Sequence, residues 1–163
     1  MVYRGATMKF ILQMICILMS YVYACDFDKL SEWSKSLVQN LYALNNQNYN
    51  EQMSAAKEKF SPPLWSTYMK DLNDAKYPAA IMSKSLDISN SILGVEEIVP
   101  NHNACDVSLK INAIFNNRHT VTTQTLRLNM TVDLVNDNYQ LSHLKVSKIG
   151  EAETNLLNPK CDL

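Results

Sequence analysis

The chain has 163 residues, of which 47% are hydrophobic and 19% are charged, which is the composition of a single folded domain. Its formal net charge is −1, and it contains three glycines. This composition argues against a nucleic-acid-binding protein, which would be basic, and against a nucleotide-binding enzyme with a glycine-rich phosphate loop.

The first 24 residues have the layout of a secretory signal peptide. Arg4 and Lys9 precede an apolar run over residues 10–24, which ends in the pattern Val-x-Ala. This run is short for a membrane span, which needs roughly 20 residues, so a short uncleaved anchor is the alternative. Removal of residues 1–24 would leave 13 basic and 16 acidic residues, a net charge of −3. The sequence therefore predicts export, with residues 25–150 as the folded domain.

Three cysteines remain after this segment, and they fit an oxidising compartment that permits one disulfide. Cys105–Cys161 is the predicted pair if Cys25, at the cleavage point, carries a lipid. Cys25–Cys161 is the alternative and would tie the two ends of the domain together. His102 and Cys105 form an H-x-x-C pattern, but a structural zinc needs four ligands, so we predict no metal site.

Two amphipathic helices are predicted first. Over residues 28–44 apolar side chains recur at steps of three and four residues, which is the helical period. A second run over residues 51–60 has the same period and ends at Phe60.

A firm helix break follows in the sequence FSPPLW, residues 60–65. Ser61 is a suitable N-cap, and the two prolines after it occupy the first helical positions, where a missing N–H costs nothing. A third helix with a wide apolar face continues to Leu72. Large aromatic residues on both sides of the break predict a corner that turns two helices onto one surface. The residues of this predicted structural corner are Phe60, Ser61, Pro62 and Trp65.

Alternation of apolar and polar residues in the second half predicts four antiparallel strands with one buried face. The last strand shifts its alternation at Ser142–His143, as a β-bulge would. Residues 116–119 and 136–138 are typical of hairpin turns. The expected fold class is α+β, with three N-terminal helices on a curved four-stranded antiparallel sheet and residues 151–163 as a tail. The predicted strands cover residues 86–93, 106–115, 125–134 and 139–146.

Residues 48–72, NYNEQMSAAKEKFSPPLWSTYMKDL, resemble the helical region of the IcmL/DotI family, inner-membrane components of type IVB (Dot/Icm) secretion systems. Residues 122–135, TTQTLRLNMTVDLV, are similar to the third strand of that family. The features that carry the helical resemblance are Asn48, Tyr49, Gln52, Ala55, Ala56, Phe60, Ser61, Pro62, Trp65, Tyr68 and Met69.

The resemblance implies a cone-shaped domain of the VirB type, a fold shared with nuclear-transport-factor-like proteins, in the periplasm of a Gram-negative bacterium. It implies secretion-system inner-membrane proteins or a second copy of the chain as partners. The net charge of −1 gives no reason to expect nucleic acid as a partner. Membrane contact is expected only through residues 10–24, if they are retained, or through a lipid on Cys25. A core secretion component, an accessory paralogue and an exported effector all stay open.

Catalytic residues are not evident, and we predict no catalytic, cofactor-binding or metal-binding residue. The histidines are His102, His119 and His143, and none lies beside a nucleophile motif. His143, at the expected bulge, is the candidate base of the alternative function, a small-ligand binder or enzyme that uses the cavity of the cone. Its nearest carboxylates, Asp87 and Asp133, occupy outward strand positions. The aliphatic inward positions favour a non-enzymatic assembly or interaction protein.

Overall fold

The computed structural model describes residues 25–157. The predicted signal peptide, residues 1–24, and Cys161 lie outside the described residues. Within them the predicted fold class is confirmed, because the helices come first and the antiparallel sheet follows.

In the described part of the chain, four helices precede the sheet. Asp26 caps the first helix, where its carboxylate accepts a hydrogen bond from the backbone N–H of Lys29 at 3.1 Å. The last helix was not predicted, since its six residues are too few to show a helical period. The helices are α1 (Phe27–Tyr42), α2 (Tyr49–Lys59), α3 (Pro62–Asp74) and α4 (Tyr77–Met82).

Among the described residues, four strands form one antiparallel sheet in the order β1-β2-β3-β4, so each strand pairs with its neighbours along the chain. The strands are longer than predicted, because turn-forming and charged residues at their ends remain paired. The strand β4 in particular continues to Leu156, so the assignment of residues 151–163 to a tail is wrong for its first six residues. The strands are β1 (Asp87–Asn101), β2 (Ala104–Asn116), β3 (Thr120–Val135) and β4 (Asn138–Leu156).

The predicted bulge in β4 is present. Thr131 pairs with His143, but the next residue of β3 pairs with Leu141, so Ser142 is the extra residue. The predicted turn between β3 and β4 is also present, with positive φ angles of 49° at Asn136 and 62° at Asp137. Two such residues make the tight hairpin turn whose twist matches that of the strands.

The core lies between one face of the sheet and α1 and α2. Alternate residues of β2 and β3 are buried, and no helix within residues 25–157 covers the other face of the sheet. The first helix contributes fully buried Leu30, Leu37 and Val38 to this core. The inward residues of the two central strands are Val107, Leu109, Ile111, Ala113, Leu126, Leu128, Met130 and Val132.

Both edge strands are covered at one point by the segments between helices. Leu44, after α1, forms two backbone hydrogen bonds of 2.8 Å with Ile88 at the start of β1. Phe60, after α2, forms a parallel bridge with Leu141 of β4. An edge strand presents unpaired N–H and C=O groups. These two contacts therefore attach the helical segments to the sheet and also pair some of the free groups of its edges.

A disulfide joins Cys25 to Cys105, which are 80 positions apart in the sequence and have their Cα atoms 5.9 Å apart. Both pairings with Cys161 left open by the sequence are therefore wrong, because Cys105 and Cys25 bond each other. The extended segment before α1 runs beside the start of β2. The spacing of the cysteines in the sequence does not indicate this proximity. A thioether-linked lipid on Cys25 is excluded in the same molecule, since it would need the same sulfur atom.

Candidate functional site

The structural corner lies on the edge strand β4, directly beside the bulge. The backbone N–H of Ser61 donates to the carbonyl oxygen of Leu141 at 2.8 Å. The side-chain amide of Gln140 donates to the carbonyl oxygen of Phe60 at 3.4 Å. The helix break thus releases backbone groups that pair with the strand, which explains why the helix ends so firmly and a new one begins at once.

Three aromatic rings pack around this corner. Phe60 is buried, with 3% of its surface exposed, and meets Trp65 edge-on at a centroid distance of 5.3 Å. Tyr68 lies 5.3 Å from Phe60 and 5.8 Å from Trp65. Trp65 is only half-buried, and no residue of α3 is fully buried. The third helix therefore lies at the periphery and presents Tyr68 and Leu72 to a space between helices and sheet.

That space is a cavity of about 380 Å³ between α1, α3, α4 and the inner face of the sheet. Tyr42, Tyr49, Tyr68 and Tyr77 line it. Burial raises the pKa of Tyr42 to about 12, with a smaller contribution from the phenol of Tyr77. Burial also raises the pKa of Tyr68, to which the phenols of Tyr42 and Tyr49 add. The phenols of Tyr42 and Tyr68 therefore lie in a poorly solvated region, and the other two tyrosines line the same cavity.

Three polar side chains from the sheet, those of Thr122, Gln124 and Lys148, complete the lining. Gln124 is 5% exposed, and its amide nitrogen donates to the carbonyl oxygens of Thr125 at 3.0 Å and Ile149 at 3.3 Å. Lys148 is opposite Leu126 in the register, on the inward face. Within residues 25–157, Lys148 is the one charged residue in the lining, which includes no Asp, Glu, His or Cys.

The site residues predicted from the sequence include neither the cavity tyrosines nor Lys148. A signal for the lysine exists, however. Leu144 and Val146 occupy alternate positions after the bulge, and continuing that alternation places Lys148 on the inward face. The prediction stopped at Val146 because the apolar pattern ends there.

The outer face of the sheet carries a charged cluster, which we define as Glu96, Lys110 and Arg127. The Glu96 carboxylate lies 2.8 Å from the Lys110 ammonium and 2.7 Å from the Arg127 guanidinium. Hydrogen bonds from Arg127 and then from Lys110 lower the pKa of Glu96 to about 2. Glu96 reaches both partners because it lies at a register shift in β1.

His143 lies on this outer face and not in the interior. It is exposed and pairs with Thr131, whose hydroxyl donates to the Asp106 carboxylate at 2.8 Å. No hydrogen bond or ion pair joins His143 to Asp87 or Asp133 among residues 25–157. The interpretation of His143 as a base inside the cone is therefore wrong, because the bulge restores the alternation with His143 pointing outward.

The other histidines are in turns. His102, between β1 and β2, has a positive φ of 53°, and the backbone carbonyl of His119 accepts a hydrogen bond from the N–H of Leu157 at 2.8 Å. The disulfide occupies the Cys105 sulfur that a metal would require. The described part of the chain holds no cluster of three or more His, Cys, Asp or Glu residues suited to a metal ion.

Comparison with known proteins identifies the family. The profile of a family described as an inner-membrane complex component of the type IVb secretion system, DotI/IcmL, matches residues 16–151. Comparison with curated proteins finds no significant match.

Two crystal structures share the fold. An IcmL-like type IV secretion system protein from Legionella pneumophila subsp. pneumophila str. Philadelphia 1 superposes with a TM-score of 0.67 at 17% identity, over 77% of this chain and 95% of that one. The periplasmic domain of DotI superposes with a TM-score of 0.63 at 15% identity, over 75% of this chain and 95% of that one.

None of the helices in residues 25–157 is both long and apolar enough to span a membrane. The family profile covers most of the chain, from within the apolar N-terminal run to within β4. The chain belongs to the DotI/IcmL family of type IVb secretion systems, whose members are components of the inner-membrane complex.

Proposed function

We propose that the chain is a non-enzymatic component of a type IVb secretion system that acts in the periplasm by binding other proteins of the inner-membrane complex. The observation that carries this proposal is the match of the family profile to residues 16–151. The likeness to two secretion-system structures extends over at least 75% of this chain. The apolar interior supports a role that depends on surfaces rather than on chemistry.

The periplasm is supported by the disulfide. Cys25 and Cys105 would stay reduced in the cytosol, whereas the bacterial periplasm is kept oxidising. Residues 10–24 would then direct export or hold the domain at the inner membrane. Oxidation of this pair in whole cells, measured by alkylation of free thiols before and after reduction, tests the assignment, and a fully reduced pair would refute it.

The outer face of the sheet is the surface that we propose for assembly. The helices cover the opposite face, so the side chains of the two central strands face solvent here. Salt bridges hold Glu96, Lys110 and Arg127 in place, which reduces the side-chain entropy that binding would cost. A mixed polar surface of this kind suits a protein partner rather than a lipid.

A pull-down tests the proposal. The full chain, tagged at its C-terminus, is isolated from detergent-solubilised envelopes of its native bacterium, and co-purifying proteins are identified by mass spectrometry. Recovery of secretion-system inner-membrane proteins in stoichiometric amounts is expected. Recovery of the chain alone, with its disulfide formed, would contradict the proposed function.

A further inference from the structure

We propose that the tyrosine-lined cavity is a binding site for a small amphipathic anion, an apolar chain that carries one carboxylate, such as a medium-chain fatty acid. This site is separate from the outer face proposed for assembly. It lies on the other side of the sheet, between α1, α3 and α4.

The cavity has the size and lining of a ligand site. Its volume of about 380 Å³ falls within the range of pockets that hold small molecules, roughly 300–1,000 Å³. At about 30 Å³ for each water-sized group, it has room for roughly a dozen non-hydrogen atoms. Aliphatic side chains from helices and sheet, including Leu72, Ile81 and Ile88, form its walls.

The charge of the lining selects the sign of the ligand. Lys148 is the only charged lining residue within the described part of the chain, where it has no salt-bridge partner. An inward lysine on an edge strand also discourages pairing with other strands, so its presence alone does not show a ligand. Lys148 is exposed, so its ammonium group lies at the rim of the cavity, where the carboxylate of a ligand would give it a partner.

A buried hydroxyl group also indicates a ligand that can accept a hydrogen bond. Tyr49 is 8% exposed, and its hydroxyl has no hydrogen-bond partner among residues 25–157. An unpaired buried donor is costly, and an acceptor from a ligand would offset that cost. The lysine and this phenol together call for an anionic acceptor on an otherwise apolar molecule.

The end of a polypeptide offers the same apolar carboxylate, but it fits less well. A peptide would bring several amide groups into a lining whose amide, that of Gln124, already donates to two carbonyl oxygens. Unsatisfied amides in an apolar site oppose binding. A simple acyl chain contains no amide group and avoids this cost.

Nuclear magnetic resonance titration of the oxidised full chain with octanoate tests the site. Octanoate has about ten non-hydrogen atoms. From the binding free energy per non-hydrogen atom that is typical of small ligands, its dissociation constant should lie below about 1 mM. The methyl signals of Leu72, Ile81 and Ile88 should shift. Octan-1-ol and N-acetyl-Ala-Leu should each bind at least about fivefold more weakly, because one lacks the charge and the other carries amides.

Two variants and one control locate the contacts. Lys148→Met should weaken octanoate binding at least about fivefold, while Lys145→Met, on the outer face of the same strand, should leave it unchanged. Tyr49→Phe removes an unpaired hydroxyl, so the fold should be kept, and octanoate binding should weaken about threefold or more.

Four outcomes would overturn the proposal. The first is that the methyl signals of the cavity do not shift at millimolar octanoate. The second and third are that octan-1-ol binds as tightly as octanoate, or that N-acetyl-Ala-Leu binds more tightly than octanoate. The fourth is that Lys148→Met binds octanoate as tightly as the unchanged chain does. The fourth result would mean that the lysine only prevents the edge strand from pairing with other strands. The pull-down outcome is independent of all four, because the outer face does not contribute to the cavity.

Discussion

The backbone N–H of Ser61 donates to the carbonyl oxygen of Leu141 at 2.8 Å, which joins the corner between α2 and α3 to the edge strand β4. The bulge at Ser142 follows Leu141 directly, so the strand changes its alternation where the corner meets it. Two features separated by 80 residues in the sequence thus depend on each other. The proline break supplies the free backbone groups, and the strand edge supplies their partners.

Truncation of the aromatic residues at this corner should destabilise the domain unequally. Phe60→Ala should lower the free energy of unfolding by roughly 3–5 kcal/mol, because Phe60 is buried against Trp65 and Tyr68. Trp65→Ala should cost less, about 2–3 kcal/mol, since Trp65 is half-buried and already partly hydrated. Urea unfolding measures both values. Ser66→Ala, on the exposed side of α3, is the control, and an equal loss in that variant would refute the assignment.

Loss of the disulfide should destabilise the chain by about 3–4 kcal/mol, because the bond closes a long loop in the unfolded state. Cys25→Ala and Cys105→Ala should have the same effect on urea unfolding, and the double variant should add nothing further. Cys161→Ala should leave stability unchanged. Peptide mapping without reduction gives an independent check, and a Cys105–Cys161 peptide would contradict this pairing.

The charged cluster on the outer face predicts a specific dependence of stability on acid pH. The folded state lowers the pKa of Glu96 from 4.5 to about 2, so its contribution is present above pH 4.5 and is lost as the pH falls towards 2. Glu96→Gln should therefore flatten the loss of stability between these values. Glu97→Gln, at the adjacent exposed position, should not. Acid unfolding curves of identical shape in both variants would show that the charged cluster does not cause the loss of stability at acid pH.

The cavity tyrosines predict a dependence at alkaline pH. Burial raises the pKa of Tyr42 from 10.0 to about 12, so the folded state keeps this phenol neutral where the unfolded state ionises it. Stability should be complete below pH 10 and should decline as the pH rises towards 12. Absorbance at the phenolate band should show ionisation later in the folded chain than in the urea-unfolded chain, and Tyr42→Phe should remove part of that delay. Coincident titrations would show that the cavity is open to water.

Sequence patterns were sufficient for the parts of this fold that depend on local chemistry. The proline break after Ser61, the bulge at Ser142 and the turn at residues 136–138 each follow from backbone preferences of a few neighbouring residues. The sheet topology followed from alternation combined with short hairpin connections.

Features set by tertiary proximity were not predictable. The pairing of Cys25 with Cys105 depends on where the chain enters α1 relative to β2, and spacing carries no information about it. The outward direction of His143 depends on how the bulge resets the register, which alternation alone leaves undecided. The cavity exists because α3 stands off from the sheet, although its apolar face is as wide as that of a core helix.

Site-specific photo-crosslinking in living cells tests the central proposal most directly. A photoreactive amino acid at Asn129, which lies between Ser108 and Lys145 on the outer face, is compared with one at Lys70 on the exposed side of α3. The expected result is a crosslink from position 129 to a protein of the type IVb inner-membrane complex and none from position 70. Crosslinks from position 70 alone, or none from either position in cells that assemble the complex, would contradict assembly through the outer face of the sheet.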